Sequence, residues 1–288
     1  MTEPPTPRSV VVGIDGSRAA IHAALWAVDE AVARDIPLRL LYAIEPDDTQ
    51  QNLPDRATRR FAIAENAVRY VSMAVESVGK PVRIEVEIAQ ERPIIALIRA
   101  SASAAMVCVG AVGVHHFRPE RVGSTVAKLA TSAHCPVAII RGHGDRARRD
   151  ARWIVVDPHR SADIDAVMGT AIEEARLRDL PLRAVSYRQR GACDYAAEHL
   201  AASGDRQVLF NQGRRLERWK RRYPDVEVNA VVLHGSLLDY LSENGRSVRL
   251  VIIGVHNHEL VEQLVGPVGN AVLNKADCSV LVVDHQHL

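Results

Sequence analysis

Residues 106 to 140, MVCVGAVGVHHFRPERVGSTVAKLATSAHCPVAII, hold an apolar run, a glycine-rich loop, a stretch opened by Gly-Ser-Thr and a second apolar run begun by Cys135-Pro136. Met106 to Val109 is short and rich in β-formers, which suits a strand buried on both faces. Gly110 and Gly113 end it where the backbone must turn tightly or come close to a ligand. Gly123-Ser124-Thr125 opens a helix whose first N–H groups have no partner inside the helix, so they can receive phosphate oxygens. Arg118, Arg121, His115 and His116 give the loop positive or polar groups, although it has no lysine of the P-loop kind. Taken singly, the glycines are ordinary turn formers and Ser124 an ordinary N-cap. Together, at the spacing G-x2-G-x9-G-S, they favour phosphate.

Working back from this stretch, strand-like and helix-like segments alternate. Arg8 to Ile14 reads as a first strand, ending on Asp15-Gly16-Ser17. A helix from about Arg18 to Arg34 follows, with Ala24, Leu25, Val28, Ala31 and Val32 on one face. Pro37 to Ile44 is a second strand, Arg56 to Val78 a long amphipathic helix closed by Gly79-Lys80-Pro81, and Val82 to Ile88 a third strand. Pro93 to Ala102 starts with proline at a helix entrance. The motif stretch supplies the fourth strand, fourth helix and fifth strand. Strict β/α alternation implies α/β architecture: a doubly wound parallel sheet covered by helices on both faces.

The order of these features resembles the universal stress protein family, whose nucleotide-binding members carry G-x2-G-x9-G-[S/T] between the fourth strand and fourth helix. Asp15, ending Val10-Val11-Val12-Gly13-Ile14, matches that family's aspartate at the end of the first strand. The resemblance implies a five-stranded sheet in the order 3-2-1-4-5. Ligands of such sheets sit outside the carboxyl ends of the strands where the order reverses, here the first and fourth.

Working forward, Arg141 to Arg152, RGHGDRARRDAR, replaces the apolar pattern with glycine and charge and reads as a linker. The plan then repeats. Trp153-Ile154-Val155-Val156-Asp157 answers the first strand, and LRDLPLRAVSY from Leu177 answers ARDIPLRLLYA from Ala33. VGPVGNAVLNKADCSVLVV from Val265 answers VGSTVAKLATSAHCPVAII from Val122. The expected organisation is a tandem: a first domain over 1–142 with a complete motif, a linker over 143–151 and a second domain over 152–288 with a degenerate one. In the second half Asn257 answers Gly113 and Pro267 answers Ser124. Pro267 has no N–H to give a phosphate, Glu259 and Glu262 would repel one, and Tyr187 stands where Ala43 leaves room. Gly254, Gly266 and Gly269 could still shape a remodelled pocket.

Composition adds bounds. The 288 residues with 47% hydrophobic content suffice for two cores. A formal charge of +1 gives no global pull toward nucleic acid or membrane. Met1 to Arg8 lacks the apolar core of a signal peptide, and no apolar run approaches the roughly 18 residues of a membrane span; a cytoplasmic protein is expected. Cys108, Cys135, Cys193 and Cys278 have no zinc-type spacing and read as buried free thiols. His115-His116 lack a third ligand at recognisable spacing, so no metal site is expected. The basic run Arg214 to Arg222 carries Leu216, Trp219 and Tyr223 at helical spacing, which makes it the solvated side of an amphipathic helix rather than a nucleic-acid surface.

By the family resemblance, Asp15 contacts the adenosine part, Gly13 and Ala43 border the base, and Val109 and Gly110 line base and ribose. Gly113 admits the ribose and phosphates, while Gly123, Ser124 and Thr125 hold the phosphates, with Arg121 as a candidate clamp. The implied ligand is ATP, with magnesium optional, in a stress-response regulator read by a protein partner. Pairing through the fifth strands, Val137 to Ile140 and Val280 to Val283, is implied too, between halves of one chain and in a homodimer. Two other readings remain: a slow ATPase or nucleotidyl-transfer enzyme on the same fold, disfavoured for want of a general base or Walker lysine, and a nucleotide-independent interaction protein.

Overall fold

The computed structural model describes residues 8–46, 54–113, 124–142, 152–158, 164–187, 213–214, 216–233 and 235–284. The expected linker, Arg121, Gly123, His115, His116, Arg118 and Cys193 lie outside them.

In the first half the elements are β1 (Val10–Ile14), α1 (Arg18–Arg34), β2 (Leu38–Ala43), α2 (Pro54–Glu76), β3 (Ile84–Ala89), α3 (Pro93–Ser101), β4 (Met106–Gly110), α4 (Ser124–Ser132) and β5 (Val137–Ile140). In the second they are β6 (Trp153–Asp157), α5 (Ile164–Arg178), β7 (Leu182–Tyr187), β8 (Val228–Leu233), α6 (Leu237–Asn244), β9 (Val248–Gly254), α7 (His258–Val265), α8 (Pro267–Ala276) and β10 (Ser279–Val283). Helical residues 216–222 bury Leu216 and Trp219 and leave Arg218, Arg221 and Arg222 outside, as the amphipathic reading requires.

The strands form one ten-stranded sheet, ordered β3-β2-β1-β4-β5-β10-β9-β6-β7-β8. Each half therefore has the order 3-2-1-4-5, but the two sheets expected are one. Every neighbouring pair is parallel except β5 with β10, which run antiparallel with Ile139 opposite Val280, Ala138 opposite Leu281 and Val137 opposite Val282. Both fifth strands are short and buried and, but for Ser279 at the start of β10, apolar, and a strand of that kind needs a partner on each side. Each is the other's partner. The homodimer expected through fifth strands consequently has no free edge to use, because β5 already lies between β4 and β10, and β10 between β5 and β9.

The seam is also held at its end. The Arg141 backbone N–H donates to Ser279 Oγ at 3.0 Å, and its guanidinium donates to Asn270 Oδ1 at 2.7 Å and to the Cys278 carbonyl at 3.3 Å. Burial pulls the Arg141 guanidinium down to about 10.

Two core layers run the width of the sheet. One contains Ala24, Val28, Val68, Val71, Met168 and Ile172 from α1, α2 and α5; the other contains Leu97, Leu129, Leu241, Val261 and Leu273 from α3, α4, α6, α7 and α8. Helix α1 starts at the N-cap Ser17, whose Oγ accepts from the Ala20 N–H at 3.1 Å, and ends on Asp35 in the left-handed region. Its buried face differs from the expectation. Leu25 and Val32 are only partly covered, whereas Trp26 and Glu30 are buried, because α1 faces helix α5 as well as the sheet. Among the described residues, no helix is long and apolar enough to cross a membrane. Cys108, Cys135 and Cys278 are buried free thiols, and burial pushes Cys135 and Cys278 up to about 12.

Candidate functional site

Parallel strands leave a crevice where consecutive neighbours lead to helices on opposite faces, and β1 and β4 are such a pair. A hollow of about 590 Å³ opens there, within the range of small-molecule sites of roughly 300–1,000 Å³. Gly13, Asp15, Ala43, Val109, Gly110, Gly113 and Thr125 all line it. Seven of the ten residues expected from the sequence thus converge. Ser124 begins α4 beside the hollow, so the free N–H groups of that helix start lie next to Thr125 and Val126.

The three strand-end glycines are small for separate reasons. A Cβ at Gly13 would stand 3.2 Å from Leu97 Cδ2 and from Val109 Cγ1, so the floor of the hollow is already tight. One at Gly110 would lie 2.6 Å from the Ala19 carbonyl carbon. Helix α1 sits directly on the end of β4, and this packing, not ligand approach alone, excludes a side chain. One at Gly113 would lie 2.7 Å from Asp15 Oδ2, so the loop after β4 passes against the Asp15 carboxylate. Neither Gly110 nor Gly113 occupies the left-handed region, whereas Gly16 does, with φ of 83°. The tight turn is made at Gly16, where Asp15 Oδ1 accepts from the Ser17 N–H at 2.9 Å.

Several lining residues were not foreseen. Tyr42 and Glu45 come from the end of β2, Leu97 from α3, and Arg60 and Ile63 from α2. Arg60 donates to the Glu45 carbonyl across the rim. The Tyr42 hydroxyl is raised above the ordinary phenol range by burial and then by the Asp15 charge, with Arg60 acting in the opposite sense. A signal for the α2 residues was available: Ala64, Val68, Val71 and Val75 form its buried stripe, and Ile63 is a large apolar residue lying off that stripe, half exposed at 52%.

The corresponding place in the second half is built differently. The segment after β9 folds into α7, with Asn257 as N-cap accepting from the Leu260 N–H at 3.4 Å. Leu260, Val261 and Leu264 of α7 enter the core, and Glu259 and Glu262 face outward. Gly266 and Gly269, read from sequence as able to shape a pocket, instead permit α7 to lie against α8: a Cβ at Gly269 would be 2.1 Å from the Gln263 carbonyl oxygen. Pro267 is the first residue of α8, and its start has no side-chain cap. Asp157 is buried where Asp15 is exposed. The Tyr187 side chain lies outside the described part. Among the described residues no group of three or more His, Cys, Asp or Glu gathers as metal ligands would.

A doubly wound α/β fold present twice in one chain, with a hollow at the reversal point of the first copy, glycines at its strand ends and a helix start beside them, defines a class: tandem doubly wound α/β proteins. The universal stress protein family model matches residues 7–141 and 153–284. The chain belongs to the universal stress protein family. A universal stress protein of Mycobacterium tuberculosis strain H37Rv is 57% identical over 288 residues, covering 100% of both chains. A second from the same strain is 44% identical over 261 residues, 90% of this chain and 93% of its own. Among solved structures, a universal stress protein from Archaeoglobus fulgidus shares the fold at TM-score 0.67 and 15% identity, over 96% of each chain.

Proposed function

We propose that the first-half hollow binds an adenine nucleotide, with ATP as the favoured ligand, and that the chain serves the stress response as a regulator whose surface changes with occupancy. One observation carries this reading: the hollow at the β1/β4 reversal brings Asp15, Ala43, Val109, Gly113 and Thr125 around one volume beside the α4 N-terminus. Each part suits a part of the ligand. Leu41, Val109 and Leu97 offer apolar walls for a base, Asp15 accepts hydrogen bonds from amino or hydroxyl groups, and the first N–H groups of α4 with Thr125 oppose phosphate charge. Magnesium would come with the phosphates and be held mainly by them.

The second half is read as having no nucleotide site, since α7 occupies the segment that would cradle phosphates and Pro267 removes a donor. Regulation requires that the ligand bind one state of the chain better than another. The test is to purify the protein without added nucleotide, denature it, and identify and count the released small molecule, then titrate emptied protein with ATP by calorimetry. One adenine nucleotide per chain supports the assignment. Two per chain would overturn the reading of the second half, and no release together with no binding would overturn the function itself. Turnover of the bound ATP, lost in Asp15→Ala, would replace regulation with the enzyme reading.

A further inference from the structure

Helix α1 of the first half and α5 of the second meet on one face of the sheet, and four charged side chains lie at that meeting. They are Glu30 and Arg34 from α1, and Glu174 and Arg178 from α5, which occupy equivalent places in the repeat. Both carboxyls are fully buried: Glu30 and Glu174 are each 0% exposed. Glu30 is doubly served, with Arg34 Nη1 on one oxygen at 2.5 Å and Arg178 Nη2 on the other at 2.5 Å, so it bridges the halves as a carboxylate. Glu174 has an ion-pair contact to Arg178 Nη1 at 2.7 Å, but among the described residues neither of its oxygens is served by a well-directed hydrogen bond. Arg178 is further held by the Trp26 ring, 4.3 Å from its centroid. Arg34 also reaches toward Glu173 at 3.8 Å.

Two carboxyls in one dry place do not both stay ionised cheaply, since each raises the other's affinity for a proton. We infer that Glu174 holds one proton at the junction of the two halves, as the acid beside the arginine-bound Glu30 carboxylate, and that this proton makes the α1–α5 junction pH-sensitive. Among the described residues, the other charged or titratable groups facing the pair are Arg34 on α1, Arg178 on α5 and the Cys108 thiol on β4, with Glu173 on α5 beside Arg34. The thiol is held neutral by burial, so it does not compete for the role.

The sign follows from proton binding. Burial first, and then the neighbouring Glu30, push Glu174 up from 4.5 to about 8, against the pull of Arg178. The folded chain therefore keeps a proton that the unfolded chain releases. This contribution to stability is fully present below the unfolded value, is lost as pH rises toward the folded value, and does not change further above it.

The experiment compares full-length wild type with Glu174→Gln, an isosteric neutral side chain, in denaturant unfolding from pH 5 to 9. The wild-type unfolding constant is expected to rise relative to that of the variant by up to about tenfold per pH unit between pH 5 and 8, the slope of one released proton. Parallel profiles would overturn the inference. Infrared spectra of wild type supply a readout that needs no variant: a buried protonated carboxyl C=O band at pH 7 that disappears at pH 9 supports the proton on Glu174, and its absence at pH 7 refutes it.

Discussion

A methyl group added at Gly110 would press into the backbone of α1, while one added at Gly113 would meet only the Asp15 carboxylate. The two substitutions should therefore separate stability from binding. Gly110→Ala is expected to cost about 1–3 kcal/mol, the usual penalty of overpacking against backbone, read by urea denaturation. Gly113→Ala should leave the denaturation midpoint nearly unchanged, because a carboxylate at the surface can turn away. Its cost belongs to the ligand: displacement of Asp15 should weaken ATP binding by about tenfold or more, the equivalent of one hydrogen bond to a charged group, measured by calorimetry. The motif made both glycines visible in the sequence but could not separate their reasons, because the neighbour of Gly110 is Ala19, 91 positions earlier in the chain. Arg60 was hidden for a similar cause. Its role at the rim follows from where α2 lands beside β2, which no local pattern states.

At the scale of elements, the β/α alternation was legible almost throughout, because buried parallel strands write themselves as short apolar runs between amphipathic stretches. Helix α7 was not. From sequence, Asn257, Glu259 and Glu262 read only as departures from the phosphate motif, whereas in the structure Asn257 caps a helix and Leu260, Val261 and Leu264 give it an inward face. Asn257→Ala should thus destabilise the chain by about 1 kcal/mol, the cost of a lost N-cap, measured by chemical denaturation. Gly269→Ala, which drives a Cβ toward the Gln263 carbonyl, should cost more than Asn257→Ala in the same assay and release α7 from α8, seen as faster amide exchange over residues 258–265. Equal protection in both proteins would sink this account of how α7 packs on α8.

For the whole molecule, the single sheet makes the two halves one cooperative body. Leu281, fully buried opposite Ala138, lies on the seam. Leu281→Ala is expected to cost about 2–5 kcal/mol and to lower the unfolding of both halves in one transition, where separate domains would give two. A fragment ending at residue 142 would expose the apolar edge of β5 and should associate, giving a concentration-dependent mass above that of the monomer by light scattering. The repeat made the duplication plain in sequence, and the apolar fifth strands pointed to pairing. Their choice of each other over a second chain depends on the linker bringing one edge to the other at high effective concentration, a matter of chain connection rather than of residue type.

The antiparallel seam has a further result. Strands of the two halves point in opposite directions, so the strand ends that would receive a ligand face opposite rims of the sheet. At one rim lies the hollow between β1 and β4; at the other, the segment after β9 is coiled into α7. Duplication has produced a nearly symmetrical body with a head and a tail, and another macromolecule moving along its edge could tell which end it had met.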